Sequence, residues 1–211
     1  MTIRDGAPRG KRGPYRKGLE RRQEIVEAAT QVFAEVGYNG GSLRGISDRV
    51  GVSAASLVQY FGSKEGLLMA VLKEWGHQAH AIGARDLRGL AWISSIREAM
   101  RYNVHHRGLV DLLLTLTTEA SHPAHPARPF IRERYIAIIA EFGRHLREAV
   151  DAGEVLPLTD AEIEREARLF FAVMDGIELQ WLIDPSVDVV GLFDHHVEQT
   201  IRSWQRQSAP P

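Results

Sequence analysis

The residues in this chain best suited to do chemistry form a short run: Ser53-Ala-Ala-Ser56, followed by Gln59 and Tyr60. A glutamine amide pairs bidentately with adenine, a serine hydroxyl bonds several bases, and alanine methyls fit thymine methyl groups. Such chemistry reads base edges and breaks no bond. Groups for covalent chemistry are not set out in any recognisable pattern. The chain has no cysteine, so it has no thiol nucleophile, disulfide or Cys-based metal site. It contains no Gly-x-Ser-x-Gly, no His-Glu-x-x-His and no Gly-rich phosphate loop. His77 and His80 are three apart, as are His122 and His125, but no third or fourth ligand is marked by spacing. No metal and no other cofactor is expected.

The elements that must position these residues are two short helices meeting at Gly51. Ser42 can cap the first, through Val50, and Ser53 the second, from Ala54 to Phe61. Ile46 and Val50 lie one turn apart and face inward. Ser47 is small enough to let the next helix approach, Gly51 suits a left-handed stop, and Val52, Leu57 and Phe61 supply the opposing apolar contacts. In a helix-turn-helix of this kind the second helix enters the major groove and its first residues meet base edges. Ser42 and the free N–H groups at its helix start can hold phosphate, and Lys64 opens a fourth helix on the same side. The expected DNA-contacting set is Ser42, Arg44, Ser53, Ala54, Ala55, Ser56, Gln59, Tyr60 and Lys64. Short helix–Gly–helix units also occur in helical proteins that never meet DNA, so further signals matter.

Charge supplies one. The 211 residues carry 26 Lys+Arg and 27 Asp+Glu, a balance that seems to speak against a nucleic-acid partner. Residues 1–22, however, hold eight basic and two acidic side chains, and residues 1–73 sum to +5. The near-neutral total conceals a cationic end joined to an acidic body. Residues 1–19, rich in Gly, Pro, Lys and Arg, read as a disordered basic arm suited to phosphate or minor-groove contact.

Periodicity places the whole chain in the all-α class, with about nine helices. Ile25, Ala28, Ala29, Val32, Phe33 and Val36 make one apolar stripe from about Glu20, closed by Gly37. Further helices are expected near 63–84, 87–106, 108–120, 128–152, 160–183 and 188–206, with a disordered tail at 207–211. The loop from Ser121 to Pro129 holds three prolines that no helix continues through. No apolar run reaches the ~18 residues needed to cross a bilayer, and no apolar segment follows the charged N-terminus as in a signal peptide. A cytoplasmic protein is expected, with no membrane partner.

Three segments together resemble a known family: Arg22-Gln-Glu-Ile-Val-Glu-Ala-Ala-Thr-Gln-Val-Phe-Ala-Glu-Val-Gly-Tyr38, the helix-turn-helix, and Phe61-Gly-Ser-Lys-Glu-Gly-Leu-Leu68. The chain is similar here to the TetR family of transcriptional regulators. The resemblance implies an N-terminal three-helix DNA-binding domain and a helical C-terminal domain that dimerises and binds a small effector. It places Ser42 on the phosphate-contacting cap, residues 54–60 on the recognition helix and Lys64 on the lysine that starts the fourth helix. Ala55 and Val58 depart from the pattern, where Gly or Pro and a phosphate-contacting Tyr are frequent. Domains are accordingly expected at 20–73 (helix-turn-helix about 43–62) and 74–206.

Two further sites follow as expectations. Ile163, Ala167, Phe170, Met174, Ile177 and Trp181 have the 4-3-4-3-4 spacing of a packing seam. With Phe193, Val197, Thr200 and Trp204 they could form a four-helix interface across a twofold axis, or simply face the monomer's own core. Leu169, Phe171, Val173 and Leu182 give that helix apolar surface on a second side. An effector pocket is expected among His77, Trp92, Tyr102, His105, His106, Glu119, Tyr135, Phe142 and His145. The best reading is a dimeric repressor released from a palindromic operator by a small molecule, and not an enzyme. The alternatives are a helical enzyme, or a non-specific DNA-binding protein, carrying a chance helix-turn-helix.

Overall fold

The computed structural model describes residues 14–81 and 86–205, excluding the side chains of 14–15, 36–40 and 79–81. The first thirteen residues of the expected arm, the tail at 207–211 and the His80 side chain lie outside the described residues. Among the described residues there are nine α-helices and no strand: α1 (Pro14–Gly40), α2 (Leu43–Val50), α3 (Ala54–Phe61), α4 (Lys64–Ala81), α5 (Gly89–Val104), α6 (Arg107–Glu119), α7 (Arg128–Asp151), α8 (Asp160–Ile183) and α9 (Val189–Gln205).

Helix α1 differs from expectation at both ends. It starts at Pro14, so residues 14–19 are helical and not part of a disordered arm. Proline suits the first helical position, where its missing N–H has no partner to lose. One turn further on, Arg16 Nε reaches Glu20 Oε1 at 3.2 Å across an i,i+4 step. The helix also continues past Gly37 to Gly40. A glycine inside a helix costs only about 1 kcal/mol, which permits a stop without forcing one.

Ile25, Ala29 and Phe33 of the α1 stripe are fully buried, against Ile46, Leu57 and Leu67 from α2, α3 and α4. Helix α1 packs on α2, α4 and α6, and α4 carries the chain on to α5. There α5 meets α7 and α9, and α8 lies against α6, α7 and α9. Helix α8 opens on a full capping box, Thr159 with Glu162. Its core centres on Phe142, whose ring lies 4.8 Å from Phe170, 5.7 Å from Phe171 and 6.1 Å from Trp204.

Most of the expected dimer seam lies in that core, which is the alternative the spacing left open. Ile163, Ala167, Phe170, Ile177, Trp181, Phe193, Val197 and Trp204 are buried within the single chain, while Met174 is half-buried and lines a cavity. Thr200 is half-buried on α9. A heptad-like stripe reports only that one helix face is covered, and here α6, α7 and α9 cover it first. The apolar residues left outside are on the second side: Leu169, Val173, Leu179 and Ile183 of α8, and Leu192 of α9.

Where α1 meets α6, the chain has no room for a side chain. A Cβ on Gly108 would sit 2.4 Å from the Ala34 carbonyl oxygen and 2.8 Å from its Cα. Those are backbone atoms, which cannot rotate away. Gly108→Ala should therefore destabilise the protein by about 1–3 kcal/mol. Gly18→Ala, with open space around its Cβ, should instead stabilise slightly. Urea unfolding of both variants checks this, and a Gly108→Ala midpoint equal to wild type would show that α1 and α6 separate freely.

Candidate nucleic-acid interface and ligand cavity

The α2–α3 unit is built from its caps. The Gly45 N–H donates to Ser42 Oγ at 3.0 Å, and the Ser56 N–H to Ser53 Oγ at 3.1 Å. Between them Gly51 takes the left-handed conformation, φ 67° and ψ 42°, and closes on the Ser47 carbonyl. Ser47 is buried, and its hydroxyl donates to the Arg44 carbonyl. Leu57 points into the core, which turns Ala54, Ala55, Val58, Gln59 and Tyr60 outward. Ser42 and Arg44 are exposed beside α2, and Lys64 opens α4. Ser56 is half-buried, with its Oγ 2.9 Å from Ser53 Oγ, and Lys64 is half-buried as well.

Sequence reasoning missed what holds this unit in place. Arg21 Nη2 donates to the carbonyls of Val50 at 2.9 Å and Gly51 at 3.2 Å, so α1 grips the turn itself. Arg49 pairs bidentately with Glu35 at 3.0 and 3.1 Å. The hydrogen bond and the charge of Arg49 hold the Glu35 carboxyl below the usual range. The Arg22 guanidinium lies 5.0 Å from the centre of the Phe61 ring. These arginines read as part of a cationic surplus. No local spacing marks them as structural, because each contact joins distant parts of the chain.

The cavity between α4, α5, α6, α7 and α8 has a volume of about 70 Å³. Of the nine expected lining residues, it brings together Trp92 and Tyr135. The others lie elsewhere. His77 and His105 are exposed. Tyr102 donates to Gln78 Oε1 and lies against the His106 ring, and Glu119 sits 3.9 Å from His125. Phe142 is in the aromatic core, and His145 stacks on the far side of Trp92 at 4.1 Å while bonding Glu148. The polar walls are Asn103, Arg134, Asp175 and Glu178, none of them anticipated. A signal for two was present: Asp175 and Glu178 interrupt an otherwise apolar stretch, each beside a seam residue, Met174 and Ile177.

Residues 25–71 match the family described as bacterial regulatory proteins, tetR family. The chain is 22% identical over 157 residues to the HTH-type transcriptional regulator UidR of Escherichia coli strain K12, which is 74% of this chain and 79% of that protein. It is 43% identical to the HTH-type transcriptional repressor AcnR of Corynebacterium diphtheriae over 54 residues, 26% of this chain and 28% of the repressor. The fold is similar to that of a TetR transcriptional regulator from Chloroflexus aurantiacus, with a TM-score of 0.72 and 22% identity over 92% of this chain and 100% of the other. It is also similar to FadR from Bacillus subtilis, solved in complex with stearoyl-CoA, with a TM-score of 0.68 and 20% identity over 85% of this chain and 97% of FadR. Residues 25–71 are thus a DNA-binding segment of the TetR type.

The α2–α3 unit lies inside the matched segment, the DNA-binding part of a transcriptional regulator. The cavity carries an unusual electrostatic load. The Tyr135 hydroxyl donates to Asp175 Oδ2 at 2.5 Å, and Asn103 Nδ2 donates to Glu178 Oε1 at 2.6 Å. Burial raises the Asp175 carboxyl and the Tyr135 phenol, and lowers the Arg134 guanidinium. Burial, reinforced by Asp175, pushes Glu178 from 4.5 up to about 7.

A carboxyl raised on folding holds its proton more tightly in the native state. Its contribution to stability is full below pH 4.5 and is lost as pH rises through about 7. Glu178→Gln should therefore gain on the order of 2–3 kcal/mol at pH 8 and little at pH 5. His145 and His196, lowered chiefly by burial, act on the acid side and cancel in the comparison of the two proteins. Urea unfolding at both pH values measures it, and an equal gain at each would show that Glu178 does not titrate between them.

Proposed function

We propose that the chain is a TetR-family regulator, a cytoplasmic homodimeric repressor released from a near-palindromic operator when a small molecule enters the cavity. The observation that carries the reading is the outward row Ala54, Ala55, Gln59 and Tyr60 on a capped helix, flanked by Ser42, Arg44 and Lys64. In this reading α3 lies in the major groove, with Gln59 on a base edge and Ser42 and Lys64 on phosphates. Residues 20–73 form the DNA-binding part, 74–206 the sensing and dimerising part, and the basic arm ahead of them adds phosphate contact.

Helix α4 supports a link between the two parts. Lys64 stands at its start, next to α3, and Trp75 and Gly76 on its later turns line the cavity. A ligand pressing on Trp75 would bear on the same rigid element that seats α3. The dimer face in this reading is the second side of α8 with α9. Ile183 is 77% exposed and Leu169 55%, with Val173 and Leu192 beside them. Scattered apolar residues are ordinary on a surface, but a row along one helix face suits a partner. Among the described residues no helix is long and apolar enough to cross a membrane.

Selection of bound DNA from a random pool should recover two half-sites about 34–36 Å apart, or a multiple of that. Gln59→Ala should cost about 1–3 kcal/mol at one base pair and relax preference there. Lys64→Ala should weaken all sequences alike and lower the salt slope by about one. Equal losses on specific and random DNA for both variants would overturn these roles. Leu169→Glu with Val173→Glu should give a folded monomer in sedimentation that binds the operator weakly. A dimer that survives both changes would move the interface elsewhere.

A further inference from the structure

With Glu178 ionised, as above pH 7, the cavity's charges do not balance. Asp175 and Glu178 occupy successive turns of α8, and among the described residues the only cation lining the cavity with them is Arg134 of α7. Each carboxylate already accepts one neutral donor, Tyr135 for Asp175 and Asn103 for Glu178. Neither donor brings a charge. Two polar atoms of the walls are buried without a hydrogen-bond partner: the Asn103 Oδ1 acceptor and the Trp75 Nε1 donor. Because Asn103 Nδ2 is held by Glu178, its Oδ1 is fixed as an acceptor beside that carboxylate. The remaining walls are mostly aromatic and aliphatic, with Trp75, Trp92, Tyr135 and Phe171 among them, beside the hydroxyl residues Ser95 and Thr117.

We propose that the cavity takes a small organic cation, a protonated amine on an apolar body, with Glu178 and Asn103 Oδ1 as its acceptors and Asp175 as a second counter-charge. The inference rests on the reading of this cavity as the effector site. With Glu178 ionised, the added cation brings the cavity to charge balance, and a cation is attracted wherever it meets the face of an aromatic ring in the walls. A carboxylate ligand would be a third anion against one guanidinium in a low-dielectric site. A purely apolar ligand would leave Asn103 Oδ1 and Trp75 Nε1 without partners, at the full desolvation cost of each. A hydroxyl or carbonyl on the ligand's body would serve Trp75 Nε1. At about 70 Å³ the cavity is smaller than the ~150 Å³ that admits benzene, so its walls must part to take a one-ring molecule, and much further for a long acyl chain.

The test uses the full chain and three probes of one shape: phenethylamine, 2-phenylethanol and 3-phenylpropionate. Binding is followed at pH 8 by calorimetry and by tryptophan fluorescence, since Trp75 and Trp92 line the cavity. Phenethylamine should bind at least tenfold more tightly than the other two. Glu178→Gln should cost it tenfold or more, and Arg134→Met, which removes the competing cation, should tighten it. Circular dichroism confirms that both variants fold, and their opposite directions separate a charge effect from a general loosening. Equal or tighter binding of the carboxylate or the alcohol overturns the proposal, as does failure of phenethylamine to bind at millimolar concentration, or Glu178→Gln binding it as wild type does. Release of operator DNA is read in parallel. An amine that binds without releasing DNA upholds the cation site and removes the effector reading; a carboxylate that binds and releases DNA does the reverse.

Discussion

Helix α4 has to satisfy two cores with one continuous stretch of backbone. Its early turns put Leu67, Leu68 and Val71 into the packing beneath α1 and α3, and the next turn puts Trp75 against the cavity. A helix interior holds its hydrogen bonds within itself, so it cannot bend between these duties without a break, and none is present from Lys64 to Ala81. The position of α3, and with it the angle at which Gln59 and Tyr60 face outward, is set by a rod whose other end forms a wall of the cavity. The rest of the architecture can be understood as bracing that rod: α1 from one side, α5 from the other.

The bracing of the reading head is electrostatic as well as apolar. Arg21 on the carbonyls of the turn, Arg49 on Glu35 and Arg22 over Phe61 fasten α2 and α3 to α1. All three count towards the cationic excess of residues 1–73, yet much of their charge is spoken for within the fold. Exposed pairs of this kind contribute little stability each. Their value is geometric, because they fix where two eight-residue helices sit, and helices that short do not persist alone.

Local structure was legible in the sequence wherever one residue type had one steric reason. Ser42, Gly51 and Ser53 were read as caps and stop, and the structure shows each in that role. The later helices lie within about three residues of their expected ends, except near 82–85, outside the described residues. Long-range relations were not legible. The stripe from Ile163 to Trp181 was correctly periodic, but a period cannot say whether the facing surface belongs to the same chain. Two of nine expected cavity residues were found, because the aromatic and histidine types singled out also serve in cores and at helix ends. The buried polar group comes instead from Asn103 of α5 and from α7 and α8 residues that look, one by one, like ordinary surface charges.

At Gly108 the two parts of the molecule touch backbone to backbone, with the Ala34 carbonyl directly opposite. Most helix contacts have slack, since side chains exchange rotamers to absorb a small displacement. This one has no side chain on α6 to do so. A shift of α6 by a fraction of an ångström therefore reaches α1 undamped, and α1 grips the turn between α2 and α3 through Arg21. Beside the α4 rod, the molecule thus has a second line running from its C-terminal helices to the α2–α3 unit, and the hydrogen at position 108 is what keeps that line short.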